Sequence, residues 1–417
     1  MKKLALVSAI SLAVTGQAMA AAYKLPESSI NATALSAAYV ANAHGADASY
    51  YNPAAMVFSE EQRASMEADV TLVHLTSIDL TNPILGTDAT KTEDIPVPSF
   101  HYISPAMENM RFGLSVVAPG GLSKRWKGVS KTFAEEFTLE LIEINPTVSF
   151  KVNERFSIGG GVRAVYSSGV VKSTDQGPIQ AGVGISPSRD LAGDSWDLGY
   201  NLALHFTPTA KLKLTTTYRS NIDLTVEGDA TLSDTVVLPT IRTPASVEIP
   251  LPASLSLAAA YDVTPDTTVE LVLERTYWSA YETLDFQYPN SIGNYAALFD
   301  APSPKNWQDS DTIRIGLTHQ LNPKWTLMAG LAYDETPVPK QFVGYELPDS
   351  DAKIISFGAK YNYSDQMTIG AALLYDQKDK LTIPAGVNAE AGGTLAGGAT
   401  FENAKAYLFT VGMEYKF

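Results

Sequence analysis

The stretch Ala406-Tyr407-Leu408-Phe409-Thr410-Val411-Gly412-Met413-Glu414-Tyr415-Lys416-Phe417 carries two side-chain populations in strict alternation. Tyr407, Phe409, Val411, Met413, Tyr415 and Phe417 share one parity, while Thr410, Gly412, Glu414 and Lys416 fall on the other with Leu408. Successive side chains of a strand point to opposite faces, so this is a strand with one apolar and one mostly polar side. A half-buried strand of a soluble sheet would alternate in the same way. The position separates the two: the strand runs to the last residue and ends on an aromatic.

Working back from that strand, the pattern repeats. Strands are predicted over 63–79, 97–104, 110–118, 136–152, 155–174, 194–207, 211–228, 251–263, 267–287, 311–321, 325–335, 352–363, 367–383 and 404–417. Short connections such as Asn153-Glu154, Thr264-Pro265-Asp266, Asn322-Pro323-Lys324 and Ser364-Asp365-Gln366 consist of turn residues. They alternate with long ones: 80–96, 119–135, 175–193, 229–250, 288–310, 336–351 and 384–403. An up-and-down transmembrane barrel sorts its connections in this way, with short periplasmic turns and long outer loops. A soluble β-sandwich has no reason to do so. The fold class expected is therefore all-β, a 14-stranded antiparallel transmembrane β-barrel spanning 59–417.

Composition agrees. Hydrophobic residues make up 45% of the 417 and charged residues 18%, below the roughly 25% usual for soluble proteins. Beyond the N-terminus no apolar run is long enough for a membrane helix, and a barrel spreads its membrane face over alternate residues. The 20 tyrosines suit aromatic girdles. A formal charge of −15 argues against nucleic acid, and zero cysteines leave neither disulfides nor thiol chemistry. The N-terminus reads as a signal peptide, 1–20: Met1-Lys2-Lys3, an apolar Leu4–Val14, then Ala18-Met19-Ala20 before the cut. Residues 21–58, rich in Ala, Ser and Asn and without period-two alternation, stand apart.

Parity also assigns faces. A charge on the lipid face costs about 2–4 kcal/mol at mid-membrane, so Arg163, Arg219, Arg314, Glu270 and Glu274 are expected to point into the lumen. Arg275 falls on the wrong parity and calls for a bulge. The five histidines, His44, His74, His101, His205 and His319, sit in no Ser/His/Asp context. No metal or cofactor motif occurs, and no enzyme activity is expected.

Several stretches together resemble the FadL family of outer-membrane long-chain fatty-acid transporters, which also includes aromatic-hydrocarbon channels. They are Ala21-Ala22-Tyr23-Lys24-Leu25, Asn52-Pro53-Ala54, Leu251-Pro252, Tyr277-Trp278, Tyr333-Asp334-Glu335-Thr336-Pro337-Val338-Pro339, Leu347-Pro348-Asp349-Ser350-Asp351 and Lys405-Ala406-Tyr407-Leu408-Phe409. The resemblance implies an N-terminal hatch, here 21–58, carrying Asn52, Pro53 and Ala54. It implies a kink in the third strand, at Pro119, Gly120 and Gly121, that opens a lateral path into the membrane. It also implies an outer landing groove, with Leu122, Trp126, Phe133 and Phe137 from one loop and Ile179, Val183 and Ile185 from another. The places matching the family's lumenal cations are Ser168 and Ser310, both uncharged, which leaves Arg163, Lys172 and Arg314 as candidates for a ligand carboxylate.

The expected function is passive outer-membrane uptake of a hydrophobic small molecule, foremost a long-chain fatty acid. An aromatic-hydrocarbon channel and a general diffusion porin are the alternatives. The expected partners are outer-membrane lipid and lipopolysaccharide, together with the barrel assembly machinery, which a terminal Phe417 resembles a signal for. The chain is expected to act as a monomer.

Overall fold

A computed structural model describes residues 22–59, 61–388 and 394–417; the expected signal peptide, 1–20, lies outside them. Fourteen antiparallel strands close into one barrel. They are β1 (Ser65–Leu75), β2 (Glu93–Ile103), β3 (Met110–Val117 and Gly121–Lys124), β4 (Glu136–Asn153), β5 (Phe156–Thr174), β6 (Pro187–Thr209), β7 (Leu212–Arg219 and Ile222–Asp234) and β8 (Ile241–Leu251 and Ser254–Thr264). The ring continues through β9 (Thr267–Thr276), β10 (Ser310–Asn322), β11 (Trp325–Asp334), β12 (Ala352–Asn362), β13 (Met367–Lys378) and β14 (Lys405–Lys416). β14 returns to β1 with Ser65 opposite Lys416 and Leu75 opposite Ala406, so no sheet edge remains at the seam.

Several strands run further than parity alone suggested. β6 begins at Pro187 rather than 194, and Ile241–Leu251, expected to belong to a loop, is strand. The reason is a change of phase. In the lower part of β5, Ser157 and Arg163 face inward while Ile158 and Val162 face out; higher up, Val165 and Val171 face inward. β4 does the same, with Glu143, Asn145 and Ser149 buried inside below and Leu139 and Leu141 above. In the upper piece of β7, Leu224 and Val226 are buried, while Asp223, Thr225, Glu227 and Asp229 are exposed. A polar outer face cannot sit in hydrocarbon, so these segments rise above the bilayer as a funnel that is apolar inside and wet outside.

Aromatic pairs mark both rims of the membrane face. Tyr166–Trp196, Tyr200–Tyr218 and Tyr375–Tyr407 stand at the outer level, and Trp325–Tyr361 and Tyr415–Phe417 near the short turns. Arg275 needs no bulge. Its ladder with β10 is unbroken from Thr267 to Thr276, and it sits half-exposed at the outer end, 3.1 Å from Asp311.

The N-terminal segment lies inside the ring. It holds α1 (Ile30–Ala34), α2 (Ala48–Tyr51) and a 3-10 turn (Pro53–Phe58), and nearly every side chain from Ala22 to Met56 is buried. Such short helices would not persist alone in water; the barrel wall holds them. The Glu270 carboxylate accepts the backbone N–H groups of Val40, Ala41 and Asn42 at 2.7, 2.5 and 3.2 Å. Thr33 meets Thr410 and Ser36 meets Ser356, each at 2.8 Å. At Gly330 the backbone of Leu35 comes so close that any Cβ would collide with it.

Candidate lumenal site and wall opening

The third strand breaks where the sequence expectation put its kink. Between Val117 and Gly121 three residues face two on β4, since Val117 pairs with Glu143 and Gly121 with Glu140. β2 and β3 stay paired only from Ile103/Gly113 to Phe100/Val116. Above that level Glu93–Ser99 has no ladder partner on this side. Pro96 and Pro98 lie on this bare edge, where a missing N–H costs nothing.

The N-terminus fills the gap. Leu25 N–H donates to the Pro119 carbonyl at 3.0 Å, and Gly121 N–H donates to the Tyr23 carbonyl at 2.8 Å. A side chain at Gly120 would strike the Tyr23 carbonyl oxygen, so only glycine lets this short strand lie in place. The Tyr23 ring is boxed by Trp278 at 4.7 Å, Trp307 at 6.0 Å and Tyr281 at 6.4 Å, and its hydroxyl donates to the Pro250 carbonyl.

Behind the gap lies a partly open cavity of about 740 Å³, touched by Lys24, Pro119, Arg163, Arg219, Glu274 and Arg314. The four cations share two carboxylates. Glu143 binds Arg163 at 3.0 Å and also Arg219; Glu274 binds Lys24 at 3.0 Å and stands 3.6 Å from Arg314. Burying charge is costly unless it is paired and hydrogen-bonded, and each of these cations meets a carboxylate. Arg163 is fully engaged, with its third bond to the Ser220 carbonyl at 2.7 Å. Arg219 is not. Its guanidinium lies 4.3 Å from the centre of the Tyr50 ring, and its Nη1 is buried without a hydrogen-bond partner among the described residues. That donor is a charged N–H beside the cavity with no acceptor among the described residues.

The sequence candidates divide accordingly. Arg163 and Arg314 line this cavity, as lumenal parity required. Lys172 does not: it lies on the outer face of the β5 extension, 3.7 Å from Glu136 and 3.9 Å from Asp190. Ser168 also turns outward, while Ser310 faces in and is buried. Arg219 was legible as lumenal, but nothing in the sequence showed that one of its nitrogens stays free. Glu143 was missed because it sits where the phase of β4 reverses.

Asn52, Pro53 and Ala54 anchor the inner segment. Asn52 Nδ2 donates to the Val40 carbonyl at 2.8 Å and to Thr215 Oγ1 at 3.1 Å, and its Oδ1 accepts from Ala55 N–H. The Ala54 carbonyl accepts Ser149 Oγ at 3.1 Å and Ser157 Oγ at 2.6 Å. The expected landing residues do not form one exposed groove. Leu122, Trp126 and Phe137 are buried in the apolar core of the outer half, with Phe133 stacked on Tyr345 at 4.6 Å. Ile179 and Val183 sit apart on a short surface helix, Pro178–Val183, just before Ile185. The core wins because Trp126 finds an acceptor there: its Nε1–H donates to the Tyr345 carbonyl at 2.9 Å.

Known proteins bear on this arrangement. The family model described as outer membrane protein transport protein (OMPP1/FadL/TodX) matches residues 11–417. The long-chain fatty acid transport protein of Escherichia coli O6:H1 is 25% identical over 77% of this chain and 77% of its own length. Outer membrane protein P1 of Haemophilus influenzae is 24% identical over 99% of this chain and 98% of its own. Among solved structures, a Pseudomonas aeruginosa FadL homologue superposes with a TM-score of 0.80 at 20% identity, over 95% of this chain and all (100%) of that one. The P. putida toluene transporter TodX gives 0.73 at 18%, over 93% and 98%. These are transport proteins rather than enzymes. The chain belongs to the OMPP1/FadL/TodX family of outer-membrane transport proteins, whose members carry hydrophobic compounds.

Proposed function

We propose that the chain takes up long-chain fatty acids by passive diffusion, with residues 21–58 as a hatch and the β2/β3 gap as a lateral exit. The observation that carries the fatty-acid reading is the free Nη1 of Arg219 in a cavity lined by four cations. A carboxylate head group fits that donor, and the apolar tail lies toward Leu251 and Val272. Transfer of the tail out of water supplies the driving force, so no energy source is needed. On this reading Pro119, Gly120 and Gly121 hold the exit open to lipid once Tyr23–Leu25 leaves. The protein works as a monomer amid outer-membrane lipid and lipopolysaccharide, delivered by recognition of Phe417.

The test is competition for a fluorescent fatty acid bound to the purified protein, comparing oleate with its methyl ester. A hydrogen bond to a charged group contributes about 1.5–3 kcal/mol, so oleate should displace the probe roughly 10- to 100-fold more effectively. Equal potency would favour the second reading, a neutral aromatic hydrocarbon, which the uncharged Ser310 on the inner wall supports.

A further inference from the structure

The wall is interrupted a second time, between β6 and β7. Their ladder runs from Leu212/Thr209 to Arg219/Asn201 and resumes at Glu227/Asp194. In between, the six residues Ser195–Tyr200 face the seven residues Ser220–Val226. Two bonds close the lower end, from Ser220 N–H to the Tyr200 carbonyl and from Tyr200 N–H to Ser220 Oγ, both at 2.9 Å. Higher up, the Asp197 carboxylate stands in for the missing ladder, accepting Thr225 N–H at 3.3 Å and Ser195 Oγ at 2.6 Å. The interruption begins at the aromatic rim, beside Tyr200–Tyr218 and Tyr166–Trp196, where unpaired strand backbone meets the membrane interface.

Between the bonds of Ser220 and the Asp197 bridge, one side chain packs across the gap. Ile222 is buried and lies across Gly199, where an added Cβ would come within 2.6 Å of its Cγ1 and 2.7 Å of Ser220 Oγ. On the inner side, next to the interruption, Gly193 and Val226 line an apolar cavity of about 420 Å³ walled also by Leu139, Val171 and Phe286. On the outer side, Trp196, Leu198 and Tyr200 face the lipid; Leu198, at 72% exposed, is the barest large apolar side chain among the described residues. The contrast with the β2/β3 gap is one of closure. There a hydrogen-bonded backbone segment fills the opening, whereas here a rotatable isoleucine over a glycine does.

We propose that the β6/β7 interruption is a second lateral portal, gated by Ile222, through which an apolar chain or ring in the upper cavity passes directly into the outer leaflet. Such a ligand need not reach the charged lumenal cavity at all, so this route suits neutral hydrocarbon as well as an acyl tail. The portal rests on the reading of the chain as a transporter of hydrophobic compounds, and the experiment separates the two.

The full chain lacks cysteine, so a Gly199→Cys/Ile222→Cys pair staples the portal alone. Labelled toluene and oleate uptake would be measured in cells lacking their own transporter, with the pair oxidised and then reduced. A Cβ at position 199 lies against the Ile222 side chain, within reach of a disulfide, and oxidation should lower toluene uptake at least about twofold, with recovery in dithiothreitol. Unchanged toluene uptake in a fully oxidised pair would overturn the portal. Where the staple fails to form, Ile222→Ala should raise toluene uptake and Ile222→Trp should lower it; equal uptake by both would overturn it too. No uptake of either compound by the unmodified protein would overturn the transport reading itself.

Discussion

At Arg219 the chemistry of the lumen is concentrated in a single nitrogen. All four cavity cations meet Glu143 or Glu274, yet Arg219, paired to Glu143 through Nη2, keeps its Nη1 free beside the Tyr50 ring. Arg219→Met should therefore weaken oleate binding about tenfold, the low end of a charge-assisted bond, and leave methyl oleate unchanged; the competition assay reads both. A second residue-scale prediction concerns Glu270. Removing its carboxylate as Glu270→Leu leaves three backbone donors without a partner, at about 1–3 kcal/mol each, and should loosen the inner segment while the barrel stays folded. Planar-bilayer recordings should show higher ion conductance in this variant than in the unmodified protein. Parity made Arg163, Arg219, Arg314, Glu270 and Glu274 legible as lumenal. Which of them is satisfied was not legible, because that depends on Glu143 and on carbonyls of the inner segment far away in sequence.

At the scale of elements, the strands and their alternating connections could be read directly, because the hydrocarbon enforces period-two patterning. The reading failed where that enforcement ends. Above the bilayer β4 to β8 reverse the side of their apolar residues, so residues 187–193 of β6, 229–234 of β7 and 241–250 of β8 passed for loops, and the aromatic residues of the β3–β4 connection passed for an exposed groove instead of a core. The turn after β7 gives a test of these outer extensions. The Asp234 carboxylate accepts N–H groups from Ser186, Val237 and Leu238 at 2.6, 2.6 and 2.8 Å. Partial desolvation works against ionisation there, but these bonds prevail and hold its pKa down at about 2. A depressed carboxylate stabilises the folded form above its unfolded pKa of about 3.9, and that contribution fades as pH falls toward 2. Hydrogen exchange at Val237 and Leu238 should thus show protection that is flat near neutrality and falls below about pH 4. Asp234→Ala should remove that protection at every pH.

For the whole molecule, closure and blockage are separate properties. The ring has no free edge at the seam, yet its wall is broken at β2/β3 and at β6/β7, and its lumen is filled by residues 22–58. A general porin would keep a wide aqueous path, so low conductance of the unmodified protein beside high conductance of Glu270→Leu distinguishes a plugged barrel from an open one. Gly120→Val should evict Tyr23–Leu25 from the first gap, because the new side chain takes the place of the Tyr23 carbonyl; faster protease cleavage near residue 24 checks this. The most direct measurement is uptake of labelled oleate and labelled toluene by cells lacking their own transporter, with and without this protein. A rise in oleate uptake that Arg219→Met reduces while toluene uptake holds is the predicted result, and no rise in oleate uptake, with or without a response to toluene, would contradict it.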